Sequence, residues 1–331
     1  MSVINKTRLR GRSLLTLDEL SVTDLTDLLD LAADLKARKR SGVRGDLLLR
    51  KNIALIFEKS STRTRCAFTV AAADEGGQAE YLDVHDIHLG KKESIVDTAR
   101  VLGRFFDGIA FRGFKQSTVD TLARCAGVPV WNALTDDWHP TQVLADLLTL
   151  REQFGALQGL RMVYVGDGRN NMVNTLMIGC AMVGMHFVNC APAKLAPDPA
   201  LVERASALAK QNGGSLKVTT DPQEGVRGAH AIYTDVWVSM GEEAQFEERV
   251  RLLKPYKIDR AMVERTGNLE SGRFIFLHCL PAFHNRDTEV TRTIGELEVT
   301  NEVFEAPYSK VFDQAENRMH TIKALMVATL T

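Results

Sequence analysis

The chain has 331 residues, 45% of them hydrophobic and 25% charged. That is an ordinary globular composition, at a length beyond what one hydrophobic core usually holds, so two domains are expected. With 41 basic and 42 acidic side chains the formal net charge is −1, which argues against a general electrostatic footprint for nucleic acid or an anionic membrane.

The elements follow in chain order. The N-terminal residues MSVINKTRLRGRSLLTL have no apolar core of a signal peptide, and no stretch reaches the ~18 apolar residues of a membrane span, so a cytoplasmic protein is expected. LTDLLDLAADLKARKRSG reads as a helix. NIALIF (52–57), DGIAFR (107–112) and VPVWNA (128–133) read as strands, separated by the helical patterns CAFTVAAADEGG, SIVDTARVLGRFF and TVDTLARCAG. TQVLADLLTLREQF (141–154) is a longer helix, and a domain boundary is placed near residue 150. Then come the strands RMVYVG (161–166), HFVNCA (186–191), AIYTDV (231–236) and FIFLHC (274–279), with ALVERASALAKQNGG as a helix between the second and third. DQAENRMHTIKALMVATL closes as an amphipathic helix. Strands alternating with helices predict an α/β protein whose domains (1–150 and 151–315) are each a parallel sheet flanked by helices. Gly76, Gly127 and Gly213 stand where helix C-caps belong.

The segment FEKSSTRTR (57–65) leaves a strand and enters a helix carrying two serines, two threonines, a lysine and two arginines. Ser60, Ser61 and Thr62 fall at the helix start, where free backbone N–H groups and the helix dipole favour an anion. Arg63 adds a planar fork suited to phosphate. Arg65, two residues on, diverges from it and is expected in a structural ion pair. The bland alternative is a helix N-cap with solvated charges. A phosphate loop of the GxxxxGK[ST] type is absent. Arg112 in FRGF, and His139 and Gln142 in HPTQ, also follow strands, where an open α/β sheet binds ligand.

In the second half, GDGRNN (166–171) starts like a dinucleotide fingerprint, but Asn171 stands where its third glycine is needed, so a nucleotide cofactor is not expected. Asp235, Ser239 and Met240 in TDVWVSMG, and Cys279 in HCLPAFH, follow two more strands. A buried structural cysteine is the default, and the strand-end position points instead toward a cleft. Five cysteines, at 66, 125, 180, 190 and 279, show no CxxC spacing, and the pairs His85/His88 and His278/His284 have no supporting ligands at metal spacing. Neither a disulfide framework nor a metal is expected.

Taken together, FEKSSTRTR, DIHLGKKES, FRGF, HPTQ, GDGRNN, DVWVSMGEE, HCLPAFH and FDQAENRMHT closely resemble the ornithine carbamoyltransferases, in family order from residue 57 to 321. STRTR and HPTQ are shared with aspartate carbamoyltransferases; SMG and HCLP point to ornithine. The resemblance implies two α/β domains joined by two helices, with the terminal helix (316–331) packing back on the first domain. It implies a homotrimer or an assembly of trimers with shared sites, and no cofactor. By the same resemblance Ser61, Thr62, Arg63 and Thr64 would hold the phosphate of carbamoyl phosphate. Arg112, His139 and Gln142 would bind its carbamoyl end, Arg318 would line the site, and His88 would reach it from a neighbouring subunit. Backbone carbonyls of Cys279 and Leu280 would accept from the carbamoyl amide. Asn171, Asp235, Ser239 and Met240 would hold L-ornithine. Arg63, Arg112, His139, Asp235 and Cys279 are the candidate catalytic groups. The attacking amine, with a reference pKa of about 10.4, must first lose a proton; which of Asp235 and Cys279 assists stays open. Two alternatives are carbamoyl transfer to another amine such as putrescine, and a non-catalytic phosphometabolite-binding protein.

Overall fold

All seven apolar runs read as strands form strands in the structure, a computed structural model that describes residues 8–85, 87–238 and 243–331. The chain divides into two compact units, one running to Leu148 and resuming at Glu316–Thr331, the other Thr149–Ala315.

The first unit contains α1 (Val22–Arg40), β1 (Asn52–Phe57), α2 (Thr62–Asp74), β2 (Gln78–Asp83), α3 (Ile95–Phe105), β3 (Gly108–Arg112), α4 (Gln116–Ala126) and β4 (Val130–Leu134). The four strands form a parallel sheet in the order β2-β1-β3-β4. β1 and β3 are buried on both faces, which is why their sequences are continuous apolar runs rather than alternating ones. Helices cover the sheet through Ile56, Ile109, Phe111, Val119 and Leu122. Gly108 permits close packing, since a Cβ there would meet the Trp131 ring at 2.4 Å. β2, QAEYLD, is absent from the apolar runs because it is an edge strand paired only with β1 and half exposed.

α5 (Pro140–Phe154) carries the chain across the division into the second unit. There β5 (Arg161–Val165), α6 (Asn171–Met182), β6 (His186–Cys190), α7 (Pro199–Gln211) and β7 (Ser215–Thr219) come first. The short α8 (Pro222–Gly225), β8 (Ala231–Thr234), α9 (Phe246–Leu253), α10 (Arg260–Glu264), β9 (Ile275–His278), α11 (Thr291–Ile294) and α12 (Asn301–Phe304) follow. The strands form a second parallel sheet in the order β7-β6-β5-β8-β9. The other unpredicted strand, β7 (SLKVT), is again a polar edge. The core gathers Val163, Val188, Ile232, Met262 and Phe276. α13 (Val311–Leu330) recrosses the division.

Both strand orders reverse direction once, between β1 and β3 in the first sheet and between β5 and β8 in the second. Ligands of open α/β sheets bind outside the carboxyl ends of the strands at such switch points. Phe57 and Arg112 are register partners at the ends of β1 and β3, so FEKSSTRTR and FRGF leave their sheet side by side. GDGRNN leaves β5 and Asp235 follows β8 in the same relation.

Candidate active site

In the first unit Ser61 caps α2: its hydroxyl accepts the Thr64 N–H at 3.2 Å. Thr62 and Arg63 therefore begin the helix with their N–H groups outside the helical ladder, as the sequence implied. The buried Thr64 hydroxyl oxygen is a meeting point. Ser61 Oγ donates to it at 3.0 Å, Arg318 Nη2 at 2.6 Å and Arg112 Nη1 at 3.4 Å. Three parts of the chain thus converge: the start of α2, the end of β3 and the middle of α13.

His139 is buried just before α5. Burial, and then the charges of Arg318, Arg112 and Arg63, hold its pKa well below 6.5. The imidazole is therefore neutral at physiological pH, and Thr141 Oγ1 lies 3.5 Å from its Nδ1. Gln142, in the first turn of α5, is buried and donates to Asp146 at 2.9 Å. Three guanidinium groups around a neutral histidine at a helix N-terminus make a field suited to a small dianion. Among the described residues Arg65 does not make the expected ion pair, although its charge acts on Asp83. Its guanidinium lies over the Tyr81 ring, 3.9 Å from the centroid, because the partner that β2 presents at that height is aromatic. His88 is exposed on the loop after β2, and its ring makes no hydrogen bond among the described residues.

In the second unit Asp235 and Cys279 each stand one residue past a strand, β8 and β9. The Cys279 thiol donates to Asp235 Oδ1 at 3.0 Å, and the Val236 N–H donates to the same oxygen at 2.8 Å. Burial raises the Asp235 pKa, with His278 and these hydrogen bonds opposing it. Asn171 opens α6, whose cap is Asn170. Gly168 admits no side chain: a Cβ there would lie 2.6 Å from the Leu195 carbonyl. Asp167 in the same turn accepts from Arg169 and from the buried Arg249 of α9. Ser239 and Met240 lie outside the described residues.

The turn after β9 is held by groups the motif reading left unassigned. His278 Nδ1 accepts the Leu280 N–H at 2.9 Å, so its proton sits on Nε2, which donates to Glu298 Oε1 at 3.2 Å. Glu298 also accepts the Phe283 N–H, and Gln314 accepts the His278 N–H at 3.0 Å. Leu280 is fixed at φ +56°, a conformation costly for a non-glycine residue. Asp235, His278 and Cys279 bring donor atoms within 4.8 Å of one another, the spacing of a cation site. Both imidazole nitrogens are already engaged, however, so the histidine has no lone pair to offer a metal.

Residues 12–152 match the carbamoyl-P binding domain of the aspartate/ornithine carbamoyltransferases, and residues 158–329 match their Asp/Orn binding domain. The chain is 55% identical over 328 residues to a catabolic ornithine carbamoyltransferase of Bacillus licheniformis, covering 97% of each. It is 54% identical over 327 residues to that of Enterococcus faecalis, covering 97% of this chain and 96% of the other. Among solved structures, ornithine carbamoyltransferase from Pyrococcus furiosus superposes with a TM-score of 0.90 at 40% identity, over 97% of this chain and 98% of that one.

Proposed function

The chain belongs to the aspartate/ornithine carbamoyltransferase family, and from that membership we infer that it moves the carbamoyl group of carbamoyl phosphate to the side-chain amine of L-ornithine, giving L-citrulline and phosphate. The observation that carries the inference is the meeting of Arg112 and Arg318 on the Thr64 hydroxyl at the N-terminus of α2, with the charges of both and of Arg63 acting on the buried His139.

The residue roles are our proposal. The first N–H groups of α2, with Ser61, Thr62, Arg63 and Thr64, bind the phosphate. Arg112 and His139 donate to the carbonyl oxygen as it takes on charge, the oxyanion role of acyl transfer. A neutral imidazole suits that task, since its single N–H polarises the oxygen without adding a full charge beside three arginines. Gln142 and Arg318 complete this half of the site. The amine attacks as the neutral NH2, its ammonium proton released beforehand. As its nitrogen bonds to the carbonyl carbon, the carbon–oxygen bond to phosphate breaks, a second proton passes from the nitrogen to the departing phosphate, and Arg63 compensates the charge on that group. On the acceptor side Asn171, Asp235, Ser239 and Met240 hold ornithine. Asp235, with the Cys279 thiol hydrogen-bonded to it, orients the attacking amine, and the carbonyls of Cys279 and Leu280 take the carbamoyl amide. Much of the remaining acceleration is positioning.

A homotrimer, with His88 lent to a neighbour, is part of the proposal; light scattering and a His88→Ala variant test it. Among the described residues no helix is long and apolar enough to cross a membrane, which is consistent with the cytoplasmic location we propose. The relatives' names call them catabolic, and we propose that direction here. A deletion strain should then lose growth on arginine rather than require it. The first test of the activity is citrulline formation from carbamoyl phosphate and L-ornithine, with putrescine and L-aspartate in parallel. Turnover with ornithine alone is expected; turnover with another acceptor instead would overturn the ornithine assignments.

A further inference from the structure

We propose that Lys59 is a positioning residue for carbamoyl phosphate: its buried ammonium ties together the three loops that present Arg63, Arg112 and His139. The proposal rests on the reading of those residues as the carbamoyl-phosphate site.

Lys59 is 8% exposed, in a loop whose next residue, Ser60, is exposed. An ammonium group this far from water is costly unless it is paired. Its Nζ donates to Asp136 Oδ1 at 2.5 Å and sits 4.3 Å from the centroid of the Phe114 ring. Each partner belongs to a different loop. Lys59 lies between β1 and α2, two residues before the cap of the phosphate helix. Phe114 follows β3, two residues after Arg112. Asp136 follows β4, three residues before His139.

The three loops are cross-bonded around that ammonium. Glu58 Oε2 accepts the Phe114 N–H at 2.9 Å, the Glu58 N–H donates to the Arg112 carbonyl at 2.8 Å, and the Asp136 N–H donates to the Phe114 carbonyl at 2.8 Å. Gly113 lets the loops close, since a Cβ there would lie 2.3 Å from Glu58 Oε2. Asp136 belongs to a turn closed by the Thr135 N–H to the Trp138 carbonyl at 2.9 Å and by the Trp138 N–H to Thr135 Oγ1 at 3.2 Å. His139 emerges directly from it. The ammonium is the one group among these that touches both the β3 loop and the β4 loop by its own side chain. Removing it cuts the direct tie between the Asp136 turn and the α2 loop, which are then linked only through the backbone of Phe114 and the Glu58 carboxylate, and the distance from His139 to Arg63 is held less tightly. A misplacement of about 1 Å at such a site can cost about a hundredfold in rate.

The test uses the full chain, with Lys59→Gln, Lys59→Arg, Asp136→Asn, the Lys59→Gln/Asp136→Asn double variant, and Ser61→Ala. Lys39→Gln, which breaks an ammonium–carboxylate pair with Asp74 at the far end of α2, is the structural control. The readouts are kcat, KM for each substrate, the inhibition constant of inorganic phosphate and the melting temperature. Lys59→Gln should raise the carbamoyl phosphate KM and the phosphate inhibition constant about tenfold, with the ornithine KM within about twofold. Lys59→Arg, which keeps charge and ring contact, should recover to within about threefold of the parent. Asp136→Asn should move the same constants, and the double variant should be no worse than Lys59→Gln alone. Lys39→Gln should leave all kinetic constants unchanged. A melting-temperature loss in Lys59→Gln without a change in carbamoyl phosphate KM would overturn the proposal. Should Lys59→Gln fail to fold, Asp136→Asn decides, since Asp136 is largely exposed and a parental KM there removes the tie. Should Ser61→Ala also leave carbamoyl phosphate kinetics untouched, the reading of the site itself fails rather than the role of Lys59.

Discussion

The carboxylate of Glu298 accepts the Nε2–H of His278 at 3.2 Å with both side chains sealed from solvent. The pair fixes the imidazole tautomer, which in turn accepts the Leu280 N–H and sets the turn that presents Cys279. Glu298→Ala should cost about 1–3 kcal/mol or more, because it strands both the His278 Nε2–H and the Phe283 N–H, and should lower kcat. Glu298→Gln keeps an oxygen for the Nε2–H and should retain more of both. Urea unfolding and steady-state turnover measured on the same preparations check this; parental stability in Glu298→Ala would deny the pair its role.

Arg63 and Arg112 offer forks that an ammonium cannot copy. Arg63→Lys and Arg112→Lys should each lower citrulline formation by about a hundredfold to a thousandfold. Arg63 is only partly buried, so its variant should keep the parental circular dichroism and melting temperature. Near-normal turnover in either variant would remove that residue from the mechanism.

His139 should stay neutral far into acid. Its pKa is lowered by burial and by three arginines, so protonation begins well below 6.5. In NMR spectra the His139 ring signals, assigned by their loss in His139→Gln, should not move between pH 8 and about pH 6. A midpoint near the ordinary histidine value would contradict the cationic cluster.

His320, on α13, gives a stability prediction with a definite sign. Burial lowers its pKa to about 4, against an opposing hydrogen bond with Glu316, while Lys36 and Lys323 add to the lowering. The folded state thus holds a neutral ring that the unfolded chain would protonate from about pH 6.5 downward. The contribution is complete above that value, falls by up to ~1.4 kcal/mol per pH unit as pH drops, and stops falling below about pH 4. His320→Gln should flatten the acid limb of stability against pH in this window. An unchanged slope in denaturant titrations at several pH values would refute it.

Asp235 should control the acceptor and not the donor. Asp235→Asn should raise the ornithine KM by about a hundredfold or more, in line with a lost charge-assisted contact, and leave the carbamoyl phosphate KM near parental. Burial raises the carboxyl pKa above its ordinary value. Ornithine affinity should therefore weaken as pH falls through that raised value, and the variant should lack this limb. Equal effects on both substrates would assign Asp235 to the fold.

The central strands were legible because they are buried on both faces, so NIALIF and RMVYV announce themselves as apolar runs. QAEYLD and SLKVT were not, since an edge strand needs no apolar sequence when one neighbour supplies its ladder. Ser61, Arg112 and His139 could be placed by local rules, at a helix start and after strand ends, whereas Thr64 entered only through the family resemblance. The pairs Lys59–Asp136 and His278–Glu298 were not legible. Their partners are separated by 77 and 20 residues, and no spacing in one sequence encodes which loops meet. Arg65 illustrates the same limit: its divergence from Arg63 followed from helix geometry, while its aromatic partner came from a strand that the sequence did not reveal.

Arg318 joins the anion-binding cluster from α13, a helix that follows every strand of both sheets in the chain. On the ribosome, Ser61, Arg63, Arg112 and His139 are all made before the third guanidinium exists. A partly synthesised chain holds a cradle one cation short, and the Thr64 hydroxyl lacks its shortest bond. The grip on carbamoyl phosphate thus arrives near the end of translation, so nascent and truncated chains should neither sequester the substrate nor be stabilised by it.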